Sequence, residues 1–191
     1  MAAVGCVHTT HPLSEVGTIV ADDELVGVWE LQDAVLGAKK KDRLKVEAIE
    51  DGCYRFSSAD GSYDEAVDIR LVQAAGANYF EVESCTRGGA ADAWMKSLLS
   101  FPVRWERKGD WLAVGVLNAN VVERFVSEGQ ELSGKSNSGS WFPDVTVTAS
   151  AEELERFLSK HADEVYESRS IYRKVAGGQA SPESPAAGNS R

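Results

Sequence analysis

The sequence predicts a mainly β domain, an antiparallel meander that closes into a barrel, and three observations carry that prediction. Apolar and polar residues alternate with period two through most of the segment from Glu24 to Leu117. Tight-turn pairs, Asp51-Gly52 and Asp60-Gly61, punctuate the alternation. Seven or so predicted strands then follow one another without long helices between them, which favours a meander over an α/β fold. Closure best hides the edges that such a sheet would otherwise expose.

The strands follow in order. Leu25, Gly27, Trp29 and Leu31 form one face of the first. Leu44, Val46 and Ala48 alternate with Lys45 and Glu47, and Tyr54 and Phe56 return after the Asp51-Gly52 turn. Val67, Ile69 and Leu71 alternate with Asp68 and Arg70, and Tyr79 to Val82 makes a further strand. Phe101, Val103 and Trp105 precede the turn Lys108-Gly109-Asp110, and Trp111 to Leu117 is nearly all apolar. Two helices break the pattern. A short one is expected near 120–128, stopped by Gly129. A second is expected over about 150–163, where Ser150 and Glu153 have the spacing of a capping box. Val165 to Val175 reads as a last strand returning to the sheet.

At 191 residues the chain has the size of one domain and can bury a core without metals or disulfides. A formal net charge of -10 disfavours nucleic acid as a partner, because it repels phosphate backbones. Three organisational units are expected: an N-terminal segment and tether over 1–21, the β domain over 22–175, and a disordered tail over 176–191 rich in Gly, Ser, Pro and Ala.

Ala3-Val4-Gly5-Cys6 resembles a bacterial lipobox, in which small residues precede a cysteine that is lipidated after cleavage. That resemblance implies lipidation at Cys6, a membrane partner through the anchor, and a periplasmic face of the cell envelope as location. It requires an apolar leader upstream of Met1, since only five residues precede Cys6. If the match is chance, the expected location is the cytoplasm. Of the other cysteines, Cys53 and Cys85 adjoin predicted strands. Two readings stand for them: buried thiols, or a Cys53–Cys85 disulfide in an oxidising compartment.

Glu24-Leu-Val-Gly27-Val-Trp29-Glu30-Leu31 resembles the Gly-x-Trp first strand of the lipocalin (calycin) superfamily. The resemblance implies that Trp29 closes one end of the barrel with an arginine of a late strand over its ring, and Arg169 and Arg173 are the candidates. A wider arrangement is similar to a group of uncharacterised bacterial lipoproteins. It runs from Cys6 and His11-Pro12-Leu13-Ser14 through Leu25-Val-Gly27-Val-Trp29 to Val145-Thr-Val-Thr148 and the helix with Glu153-Leu154 and Phe157-Leu158.

Nothing in the sequence assembles a catalytic constellation, so no enzyme activity, cofactor or metal is expected. His8 and His11 lie in the predicted tether, and His161 falls near a helix end, where it favours the macrodipole or packs on the sheet. Lys39-Lys40-Lys41 is a solvated loop. What remains is a binding or interaction module, with a carrier of a small hydrophobic ligand as the alternative. The inward set of a closed barrel would include Trp29, Leu44, Val46, Tyr54, Phe56, Ile69, Phe80, Val103, Trp105 and either Trp111 or Leu112. A packed core and a cavity lined by Trp29, Tyr54, Phe56, Ile69, Phe80, Val103 and Trp105 are both compatible with that set. Trp94 and Trp141 sit in predicted loops as candidate interaction residues, and Gly134 to Pro143 is long enough for a lid.

Overall fold

The computed structural model describes residues 6–33, 42–49, 53–59, 66–82, 101–129, 131–137 and 144–175. The order is β1 (Cys6–Thr9), a 3-10 turn (Leu13–Glu15), β2 (Thr18–Ile19), a second 3-10 turn (Asp23–Leu25), β3 (Gly27–Asp33), β4 (Arg43–Ala48), β5 (Cys53–Ser58), β6 (Ala66–Ala74), β7 (Ala77–Val82), β8 (Val103–Lys108) and β9 (Trp111–Val116). Then come α1 (Ala119–Glu128), β10 (Gly134–Ser136), β11 (Asp144–Val147), α2 (Ala151–Val165) and β12 (Ser168–Lys174).

Among the described residues, eight strands make a closed antiparallel barrel. β3 to β9 pair in sequence order, and β12 fills the gap between β9 and β3. The registers follow the alternation in the sequence. Tyr54 lies opposite Ile69, Leu71 opposite Phe80, and Phe80 opposite Val103, so these side chains share the inner face. The β6–β7 hairpin turns through Ala75 and Gly76, both at positive φ (50° and 72°), the geometry whose twist suits a two-residue hairpin.

A second core lies outside the barrel. β1, β11 and β10 form a three-stranded sheet, with β1 parallel to β11. Val7 and Val145 from this sheet, Val122 of α1 and Phe157 of α2 share a buried cluster with Val72 and Tyr79. The latter two stand on the outward faces of β6 and β7, opposite in parity to Leu71 and Phe80. β6 is therefore buried on both faces, which explains its unbroken Leu71-Val72 pair.

Both helices stand where the sequence puts them. α1 ends at Gly129, whose φ of 65° lets its N–H reach the carbonyls of Phe125 and Val126. At the start of α2 the capping box is complete: Ser150 Oγ accepts from Glu153 N at 3.3 Å, and Glu153 Oε2 accepts from Ser150 N at 2.9 Å.

The N-terminal segment departs from expectation. Over 1–21 a tether was expected, yet Val7 and Leu13 are fully buried and β2 pairs with β6. Glu81 on β7, itself buried, accepts hydrogen bonds from the backbone N–H groups of Leu13 and Ser14. The ordering comes from partners far away in sequence, which local polarity does not reveal. Similarly, Gly134 to Ser136 is a strand rather than the start of a lid, while 138–143 lie outside the described residues. The tail over 176–191, Trp94, Trp141 and Lys39 to Lys41 also lie outside them.

Two tyrosines make the second core sensitive to alkali. The Tyr166 hydroxyl donates to the Pro102 carbonyl, and the Tyr79 hydroxyl has no partner among the described residues. Burial pushes Tyr79 up to about 12 and Tyr166 well above the ordinary phenol range. Their neutral forms are thus favoured by folding. That contribution is complete below pH 10.0 and is lost as pH rises through about 12. Absorbance at 295 nm should show these phenols ionising together with loss of far-UV dichroism. Ionisation of every tyrosine near pH 10 with the fold intact would contradict the assignment.

Candidate functional site

One end of the barrel is sealed. The turn Asp23–Leu25 lies across it with Leu25 fully buried in the barrel core. Trp29, also fully buried, donates its indole N–H to the Leu25 carbonyl at 2.8 Å. Lys174 Nζ stands 5.4 Å from the centre of the Trp29 ring and donates to the Glu24 carbonyl at 2.6 Å. A cation over an indole contributes about 0.5–2 kcal/mol, depending on how fully it is desolvated. Gly27 admits this arrangement. At φ 142° it has no Cβ, and one placed there would lie 2.9 Å from Lys174 Cε.

A second clamp completes the seal. Arg107, the inward residue near the end of β8, holds Asp22 through two bonds of 2.8 and 3.0 Å, and it also pairs with Glu24. The Asp22 N–H donates to the Tyr54 hydroxyl at 2.8 Å. Hydrogen bonding to Asp22 raises the Arg107 pKa, so this cation stays charged across the accessible pH range.

Above the seal the lining is aromatic and aliphatic. Phe80 and Trp105 stack with centroids 5.1 Å apart and planes 2° from parallel, and Phe56 meets Phe80 edge-on at 5.1 Å. Tyr54, Ile69 and Val103 belong to the same buried cluster. All seven residues expected to line a cavity are therefore brought to one inner surface, although Trp29 serves as its floor. Several inward residues, Leu44, Phe56, Val82, Val114 and Tyr172, are only partly buried. The Trp105 side chain is 5% exposed, and its indole N–H has no acceptor among the described residues. A buried donor left unmade costs about 1–3 kcal/mol.

Neither arginine expected over Trp29 is there. Arg169 faces outward and pairs with Glu106 at 3.3 Å, and Arg173 lies 5.6 Å over the ring of Trp111. Both share a parity that the β9 pairing directs out of the barrel; Lys174 has the other parity. The same alternation settles the Trp111 or Leu112 alternative: Leu112 is buried inside, and Trp111 is 47% exposed outside.

Cys53 is buried on the outer side of β5, with Arg70 Nη2 3.9 Å from its sulfur. Cys85, and with it the choice between buried thiols and a Cys53–Cys85 disulfide, lies outside the described residues. Cys6 opens β1 opposite Asp144, and its side chain lies outside what is described. His161 packs on Phe125 and Phe157 and meets Glu131 at 2.8 Å, so it sits among aromatic rings on the helix surface. The sequence reasoning missed Asp22, Arg107 and Lys174. Among the described residues no cluster of metal-ligating side chains occurs, and no described helix is long and apolar enough to cross a membrane. Comparison with protein-family models, with curated proteins and with solved structures finds no match to this chain.

Proposed function

We propose that this protein is a non-catalytic binding module whose barrel takes up a small apolar molecule through the end opposite Trp29. The observation that carries the reading is an asymmetry. One end is closed by Leu25, Trp29, Lys174 and the Arg107–Asp22 pair, whereas inward apolar residues Phe56, Val82, Val114 and Tyr172 remain partly open. Those partly open side chains give an apolar ligand area to cover, at about 25 cal/mol per Å². The sealed floor, the Gly-x-Trp strand, the cation on its indole and the helix before the last strand support a lipocalin-like (calycin) kinship. Binding of N-phenyl-1-naphthylamine tests the reading. One probe per chain with enhanced emission is expected, and Val114→Trp, which fills the lining, should abolish it while a normal melting curve shows the variant folded. No binding by the wild-type protein, or equal binding by the folded variant, overturns the reading.

The envelope location is proposed on the lipobox-like Ala3-Val4-Gly5-Cys6 alone. With Val7 already buried in the second core, a lipid on Cys6 would hold the β1-β11-β10 sheet close to the headgroups, without a spacer. Mass spectrometry of the protein from its own host should find Cys6 acylated; an unmodified Cys6 in that material rules the anchor out.

A further inference from the structure

We infer that the molecule held in the barrel carries no anionic group and presents a hydrogen-bond acceptor, such as a ketone or ester, that meets the Trp105 indole N–H. This rests on the binding reading above and adds to it the charge class of the ligand and the contact that orients it.

Three features lead there. The Trp105 N–H is buried within the aromatic lining without an acceptor among the described residues, so an arriving acceptor would satisfy a donor already stripped of water. Among the described residues no cation stands ready for an anionic ligand. Of the described barrel residues, the inward cations are Arg107 and Lys174, and both are spent on the floor, on Asp22, Glu24 and the Glu24 carbonyl. The carboxylates differ: Asp42, half-buried opposite Leu31, acts on the inward Tyr172 and raises its pKa, whereas those along the walls point away. Glu47, Asp68, Glu81 and Glu106 alternate with the inward residues Val46, Ile69, Phe80 and Trp105, and so face outward. An anionic group entering this space would lose its hydration with no described cation to replace it. The parallel Phe80–Trp105 pair, with Phe56 edge-on, further suits a flat or ring-bearing framework.

Two probe comparisons test this on the intact chain. N-phenyl-1-naphthylamine and 8-anilino-1-naphthalenesulfonate share one ring framework and differ by the sulfonate. The neutral probe is expected to bind at least about a hundredfold more tightly. The second comparison uses 6-propionyl-2-(dimethylamino)naphthalene, a neutral ketone, against Trp105→Phe. The variant should weaken ketone binding about three- to tenfold more than it weakens N-phenyl-1-naphthylamine, since both probes lose the same ring area and only the ketone loses a hydrogen bond. Equal binding of sulfonate and neutral probes would overturn the charge assignment and leave the binding barrel standing. Equal weakening of both neutral probes by Trp105→Phe would overturn the donor role. Failure of all three probes to bind would remove the binding reading itself, and this inference with it.

Discussion

Trp29→Ala is expected to cost about 3–5 kcal/mol, most of what a domain of this size has to spare. The indole is fully buried at the floor of the barrel, where it fills space beneath the lining and anchors two chain segments. Its N–H fixes the Leu25 carbonyl, and its face carries the Lys174 ammonium, which in turn fixes the carbonyl of Glu24. Alanine would leave a cavity, release the Asp23–Leu25 turn, and strip Lys174 of its ring. Trp29→Phe keeps a ring but loses the N–H, so its cost should be smaller. Chemical denaturation followed by far-UV dichroism measures these differences. Trp111→Ala is the control, since that indole is half exposed and carries only a surface cation contact with Arg173, and it should move stability by no more than about 1 kcal/mol. Similar costs at both tryptophans would deny Trp29 its place in the floor.

Glu81→Ala should detach the N-terminal segment. The carboxylate receives the Leu13 and Ser14 N–H groups at the start of a 3-10 turn where Pro12 supplies no side-chain cap. Without it those donors are orphaned against a buried surface, at about 1–3 kcal/mol for each one left unmet. Glu81→Gln retains an acceptor and should cost less. The effect should be local: amide exchange should accelerate over Val7 to Ile19 far more than in β4 or β5, whose ladder is independent of this contact. Unchanged exchange at Val7 and Leu13 would show that β1 and the apolar contacts hold the segment unaided.

Much of the barrel was legible because its rule is local. Val67, Ile69 and Leu71 alternate with Asp68 and Arg70 in a way that only a half-buried strand explains, and the same holds around Leu44 and Val46. The capping box at Ser150 needs just four consecutive residues. The second core was hidden for the opposite reason. β1 is four residues long and finds its parallel partner at Asp144 to Val147, so no local pattern announces it. The lipocalin resemblance implies an arginine over Trp29, so no sequence signal points to Lys174. The register against β3 also shifts between Ile171 and Tyr172, where Gln32 is the extra residue on β3, whereas the pairing of β12 with β9 runs without a break. Asp22-Asp23 has the composition of an ordinary turn. Its tie to Arg107, 85 residues away, depends on the barrel having closed.

The aromatic residues that the alternation turns inward share one inner cluster, while their division into floor and wall comes only with the fold. Trp29 closes the end, and Trp105 carries the donor. The two indoles differ in one respect that a spectrum can report: Trp29 already has its acceptor at 2.8 Å, and Trp105 has none among the described residues. A nitrogen–proton correlation spectrum recorded during titration with 6-propionyl-2-(dimethylamino)naphthalene therefore tests the central claim most directly. The Trp105 indole resonance should move downfield to saturation at one equivalent, with the Trp29 resonance nearly still. Movement confined to the exposed Trp111, or no movement of any indole, would contradict a ligand site above a sealed floor.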